Sequence, residues 1–98
     1  MSSEQEFKAL ICVDTIDRVD DNSNETGQRA RIHFKNGHQL SVIRGEYSYG
    51  GDEGLFEIMP DDDSFFDEDD CGDTVLGYLT AERVKYYINK IGSTTKTN

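Results

Sequence analysis

Apolar and polar positions alternate through several stretches of this chain and recur with helical spacing in one. The first stretch is Phe7-Lys-Ala-Leu-Ile-Cys-Val13. A helix from Phe7 would put Leu10, Ile11 and Asp14 on one face, and the third of these is charged. Strand alternation puts Phe7, Ala9, Ile11 and Val13 together, and the β-branched content agrees. The pattern therefore predicts a strand over about 6–14 that continues through Ile16 and Val19. Asp20-Asp-Asn-Ser-Asn-Glu-Thr-Gly27 has turn and solvation chemistry throughout and reads as a mobile loop.

A hairpin comes next. Ala30, Ile32 and Phe34 alternate with Arg29, Arg31 and His33, and Asn36-Gly37 marks the turn. A two-residue loop would set Phe34 opposite Gln39 and Ile32 opposite Ser41. A three-residue loop, Lys35-Asn36-Gly37, pairs Phe34 with His38, Ile32 with Leu40 and Ala30 with Val42. Only the second register gathers the apolar residues on one face, and it places Gly37 at the left-handed bulge position. The opposite face then holds Arg29, Arg31 and His33 beside Gln39, Ser41 and Ile43.

Residues 44–54 form a glycine- and tyrosine-rich loop, and Leu55, Phe56, Ile58 and Met59 make a fourth strand ended by Pro60. An acidic loop spans 61–73. Thr80 is a good N-cap, Glu82 suits the positive helix end, and Leu79 and Val84 stand at staple positions. Val84, Tyr87, Ile88 and Ile91 follow with helical spacing, and Gly92 supplies the stop. Residues 93–98 read as a frayed tail. The predicted fold is α+β. It is a mostly antiparallel four-stranded sheet with one C-terminal helix packed on its apolar face, in a single domain over 1–98. A dimer through the Tyr87 face is the competing use of that helix.

Composition sets the limits of this core. Phe, Leu, Ile and Val number 22 of 98 residues, just above the roughly 20% below which charged chains stay disordered. No apolar run approaches a membrane span, and the polar start Met1–Glu6 lacks the features of a signal peptide, so a cytoplasmic protein is expected. Cys12 and Cys71 are too far apart for a zinc knuckle or CxxC site and read as free thiols.

Charge changes the picture most. Residues 45–82 contain thirteen acids and no Lys or Arg, whereas the remainder has ten basic residues against seven acids. The chain is a near-neutral frame with one intensely acidic section. Its net charge of −10 argues against a nucleic-acid or anionic-membrane binder, because the long-range field repels phosphate.

Site chemistry narrows the functions further. An EF-hand frame from Asp61 puts Phe65 and Phe66 at its fifth and sixth positions. A frame from Asp67 puts Cys71 and Tyr78 at its fifth and twelfth, so no calcium loop or other dedicated metal site is predicted. His33 and His38 lie on opposite hairpin faces without a nucleophile motif. Gly50, Gly51 and Gly54 lack the Lys-Ser/Thr of a phosphate loop. No catalytic residues and no cofactor are assigned, and the chain is not read as an enzyme.

Recognition is left. The candidate partner-binding residues are Asp61, Asp62, Asp63, Phe65, Phe66, Asp67, Glu68, Asp69 and Asp70. An acidic loop can serve solubility alone, but two adjacent phenylalanines inside it need either the core or a partner. The expected arrangement has one ring inward and one outward. A carboxylate array on a firm scaffold resembles the phosphate ladder of DNA, with a duplex charge every ~1.7 Å. The alternative site is a ligand loop of Arg44, Tyr47, Tyr49, Asp52 and Glu53.

Phe34-x-Asn36-Gly37, Ser41-Val-Ile-Arg-Gly45, Tyr49-Gly-Gly-x-x-Gly-Leu-Phe-Glu57 and Asp73-x-Val-x-Gly-Tyr-Leu-Thr80 occur in this order. The order resembles that of a group of small, mostly uncharacterised bacteriophage proteins, over roughly residues 32–91. The resemblance implies a phage protein in the bacterial cytoplasm and a shared role for the glycine-tyrosine loop. The dense acidic run is not a feature of that group. Together with the charge pattern, this gives the expected function: an accessory protein that inhibits a host defence or nucleic-acid-processing protein through acidic surface, as a DNA mimic in its sharpest form. The partner would present a basic nucleic-acid-binding surface.

Overall fold

Five strands follow one another as an antiparallel meander, flanked by a helix at each end of the chain. The computed structural model describes residues 3–25, 27–45, 54–67 and 75–94, with only the backbone for 3–6 and 63. In chain order the elements are α1 (Ser3–Leu10), β1 (Ile16–Asp21), β2 (Gly27–Phe34), β3 (Gln39–Gly45), β4 (Phe56–Pro60), a 3-10 turn (Asp63–Phe65), β5 (Leu76–Leu79) and α2 (Ala81–Gly92). The sheet order is β1-β2-β3-β4-β5.

The hairpin adopts the register that gathers its apolar residues. Ile32 pairs with Leu40 and Ala30 with Val42. Phe34 donates its N–H to His38 O at 2.9 Å, and Gly37, at φ 93°, donates back to Phe34 O at 3.0 Å. The left-handed conformation at the bulge is one that a residue without Cβ adopts cheaply.

One face of the sheet carries Ala30, Ile32, Phe34, Leu40, Val42, Phe56, Ile58 and Leu79, all buried. Helix α2 covers it with Val84, Tyr87, Ile88 and Ile91, while Lys85 and Asn89 face water. Thr80 caps this helix by accepting from Arg83 N. Each fully buried apolar side chain contributes roughly 1.5–3 kcal/mol before entropy is counted. Tyr87 is among the fully buried residues of the single chain, so the face proposed for a dimer is occupied from within.

Several expectations need correction. The first segment is helix α1, not a strand over 6–14, and only its continuation through Ile16 and Val19 is a strand. Phe7 and Leu10, three residues apart, turn to the same side and are buried, and the Phe7 ring lies 6.3 Å from that of Phe56. So short a helix is marginal alone and is held by this docking. The sheet has five strands rather than four, because β1 replaces the first predicted strand and Leu76–Leu79 adds another. The loop read over 20–27 is shorter, since Asp20 and Asp21 belong to β1 and Gly27 to β2. Gly92 is the last residue of α2 and not a left-handed stop, and Ser93 caps the helix in the αR region. Gly92 is required for close approach: a Cβ there would run into the Thr15 side chain and come within 3.2 Å of Phe34 Cδ1. The tail begins anchored, because Thr94 O accepts from Asn36 Nδ2 at 2.7 Å.

The other face of the sheet is not covered by either helix. Its rows read Arg18, His33 and Gln39; Asp20, Arg31, Ser41 and Met59; then Arg29, Ile43 and Glu57. Asp20 lies 2.9 Å from His33 Nε2 and 3.6 Å from Arg18 Nε. The described part of the chain contains no helix long and apolar enough to cross a membrane.

Candidate functional site

The acidic run leaves the sheet at Pro60 and is fastened at once. Asp61 N donates to Gln39 O at 3.0 Å, extending the β3–β4 ladder by one rung. The Asp61 carboxylate lies 3.1 Å from His38 Nδ1. Asp62 then turns the chain: its Oδ1 accepts from Ser64 N at 2.9 Å, and its carbonyl accepts from Phe65 N at 3.2 Å. The Ser64 hydrogen bond stabilises the ionised form and lowers the Asp62 pKa.

Both phenylalanines of the run point inward. Phe65 meets His38 edge to face at 4.8 Å, and Phe66 meets Tyr87 in the same manner at 5.7 Å. They are 8% and 5% exposed, so the expectation that one ring faces outward is wrong. The physical reason is that the short turn brings both rings over the end of the core, where each has an aromatic partner. Neither is a free anchor for a partner.

Asp67 closes the fastening. Its N–H donates to Tyr87 Oη at 3.2 Å. Its carboxylate accepts from Lys90 Nζ, Tyr86 Oη and an Arg83 guanidinium nitrogen, each at 2.8 Å. These three donors, Lys90 first, hold the Asp67 carboxyl at about 2, well below its usual 3.8. The same bond raises the Tyr86 pKa, because ionising the phenol would set two anions together. Arg83, Tyr86, Tyr87 and Lys90 share a flank of α2 through the i, i+3, i+4, i+7 spacing. The sequence reading missed this group. Its signal is Arg83-x-x-Tyr86-Tyr87-x-x-Lys90, a basic and aromatic flank just after an acidic run.

The described members of the run thus differ in availability. Asp61 and Asp62 are exposed and Asp67 is half-buried in its ion pairs. The side chain of Asp63, and all of Glu68, Asp69 and Asp70, lie outside the described residues, as does Cys71. Cys12 is an exposed free thiol. Among the described residues no group of three or more His, Cys, Asp and Glu side chains is placed to hold a metal ion.

Arg44, the head of the alternative ligand loop, is buried. Its Nε donates to Gln28 Oε1 at 2.8 Å, a terminal nitrogen donates to Gly54 O at 3.4 Å, and its guanidinium lies 4.3 Å from the Phe56 ring centroid. This is a guanidinium used to close the sheet end. Tyr47, Tyr49, Asp52 and Glu53 lie outside the described residues. Beside Gln28 is a half-open cleft of about 500 Å³, lined by Phe7, Lys8, Asp21, Ser23, Asn24 and Glu25 as well as Gln28. Hydrogen bonds from Ser23 lower the Asp21 pKa there.

No protein-family model, curated protein or solved structure matches the chain.

Proposed function

We propose that this protein is a binding module that docks its acidic 61–73 run onto a basic surface of a partner protein. The observation that supports this most is the fastening of residues 61–67. Phe65 and Phe66 are sunk in the core, and Asp67 is held by three donors of α2. A run so fastened starts from a fixed point on a rigid element. It then offers its carboxylates at lower entropic cost than a free tail. The partner class that fits is a host defence or nucleic-acid-processing protein whose basic groove otherwise accepts phosphate. DNA mimicry is the form this would take if the carboxylates follow the groove. The bacteriophage-like motif order agrees with such a target and with a bacterial cytoplasmic setting.

The test is capture from a bacterial lysate at low and high salt, then association kinetics with the captured protein. Neutralising Asp61, Asp62 and Asp63, then Glu68, Asp69 and Asp70, should slow association in steps. Added salt should weaken the wild-type complex more than the neutralised ones, since exposed charges are screened over about 8–10 Å. Full binding by the neutralised run would reject the proposal.

A second reading, small-ligand binding near the Arg44 loop, is favoured by the cleft beside Gln28. Its lining combines one cation, two carboxylates and several amide or hydroxyl groups above Phe7.

A further inference from the structure

Several carboxylates of the sheet and its loops gather cations from their own chain. Asp67 holds Lys90 and Arg83, Asp20 lies against His33 and Arg18, and Asp61 lies against His38. The cleft of about 500 Å³ between α1 and the β1–β2 loop is lined differently. Its volume falls within the roughly 300–1,000 Å³ of small-molecule sites. Glu25, on its rim, is exposed and has no hydrogen bond or ion pair among the described residues. Asp21 is exposed too, and Ser23 N donates to its Oδ1 at 2.9 Å. A carboxylate offers about four lone-pair sites, so most of its accepting capacity remains. The Ser23 hydrogen bonds, helped by the Lys8 charge, lower the Asp21 pKa and keep it ionised. With one ammonium against two carboxylates, the lining is negative.

Gln28 adds the one oriented donor. Its Oε1 accepts from Arg44 Nε at 2.8 Å. A guanidinium can only donate, so the atom facing it must be the oxygen, and the amide cannot be turned round. Arg44 is itself buried and lies 4.3 Å from the Phe56 ring centroid, so this side chain is set from the core outward. The Gln28 amide N–H groups have no acceptor among the described residues. The cleft thus combines acceptors without a cation and a donor without an acceptor.

The walls are built in advance. Asn24 N donates to Gly27 O at 2.9 Å and Gly27 N back to Asn24 O at 3.2 Å, while Arg29 N donates to Ser23 Oγ at 3.1 Å. Phe7 lines the inner side and is packed against Phe56 at 6.3 Å. A ligand therefore meets a rim that needs little ordering. A hard metal ion is the poorer match, because it would seek the Gln28 carbonyl, which faces Arg44, and would meet the amide hydrogens instead.

We propose that this cleft binds a small organic ammonium ion with a carbonyl beside it, the ammonium between Asp21 and Glu25 and the carbonyl accepting from Gln28 Nε2. This names the ligand class for the small-ligand reading above and rests on it. The ammonium supplies the cation that Glu25 lacks, and the carbonyl supplies the acceptor that Gln28 lacks.

Three probes separate the two contacts. Leucinamide has both groups, N-acetyl-leucinamide has lost the charge, and 3-methylbutylamine has lost the carbonyl. Binding is read from backbone amide shifts in a nuclear magnetic resonance titration at about 0.15 M salt, where exposed charges are screened over about 8 Å. Leucinamide should move the signals of residues 21–25 and 28. The acetylated probe should bind roughly tenfold or more weakly, and the plain amine several-fold more weakly. Glu25→Gln lies in the exposed loop, so it should fold as the wild type and weaken leucinamide and 3-methylbutylamine alike. Gln28→Glu keeps an oxygen for Arg44 and removes the amide hydrogens, so leucinamide should lose its advantage over the amine. Equal binding of N-acetyl-leucinamide would overturn the ammonium assignment and leave the small-ligand reading standing. An advantage for leucinamide that persists in Gln28→Glu would overturn the carbonyl contact. Shifts at Asp61 and Asp62 as large as those in the cleft, and unchanged by Glu25→Gln, would show general attraction to acids and overturn the site. No shift with any of the three probes would overturn both readings.

Discussion

Replacing Phe66 by alanine separates a core residue from a partner contact more sharply than any other change in the acidic run. The ring is 5% exposed and meets Tyr87 edge to face at 5.7 Å. Removing a buried Phe side chain costs about 3–5 kcal/mol, with the aromatic pair accounting for about 0.5–1.5 of it. A domain of this size has a total stability of roughly 5–15 kcal/mol, so the loss is a large share of the whole. The melting temperature should fall by about 12–40 °C, and the urea midpoint by more than about 1 M. Phe66→Leu keeps most of the apolar volume and should recover roughly half of the loss. Circular dichroism during thermal and urea unfolding reads all three proteins. An alanine variant that melts with the wild type and alters only the dissociation of a partner would refute the inward placement. It would also restore the ring as an exposed anchor.

Gly37→Ala should destabilise the domain by about 1 kcal/mol or more, because a Cβ is disfavoured at the φ of 93° found there; an unchanged urea midpoint would mean the turn has another conformation. Ile88→Ala should lose roughly 2–5 kcal/mol, since Ile88 is fully buried beneath the sheet face. An unaltered melting curve for it would show α2 undocked. Asp67 has its pKa lowered from 3.8 to about 2 by Lys90, Tyr86 and Arg83. Its contribution is therefore complete above the ordinary carboxylate range and is lost as pH falls through about 2. Asp67→Asn should be less stable than the wild type at neutral pH and converge with it in acid. Urea unfolding across pH 7 to 2 checks this, and a gap that stays constant would reject an ionic latch.

The hairpin and α2 were legible because each has redundant local signals. Asn36-Gly37 fixes a turn, and only one register puts Ile32 opposite Leu40. Thr80 and the Val84, Ile88, Ile91 spacing fix a helix independently of anything it packs on. The first segment was not legible, because Phe7, Ala9, Ile11 and Val13 alternate while only Phe7 and Leu10 are buried in the helix that forms. Two apolar anchors are too few for a helical period to assert itself. The better signal was polar: Ser2-x-x-Gln5 and Ser3-x-x-Glu6 have the spacing of a capping box. Strand β5 was hidden by Gly77, which reads as a breaker but belongs to a bulge. In the candidate site, charge density identified the right segment but not which side chains stay available. Asp67 and both phenylalanines are claimed by α2 and the core, a tertiary outcome that no local pattern encodes.

Asn36 has a consequence for how the molecule assembles. From the hairpin turn its Nδ2 donates to Ile91 O and Thr94 O, each at 2.7 Å, across 55 and 58 residues of chain. Those acceptors lie where a helix exhausts its own donors. The end of α2 is therefore completed by an element made near the start of the chain, and neither can reach its lowest energy without the other. The hairpin, closed by local contacts, can form early, whereas the helix end must wait for a long loop to close. Opening of the last turn and opening of the hairpin tip should then share one free energy and exchange hydrogen together, as a single cooperative unit joining the two halves of the sequence.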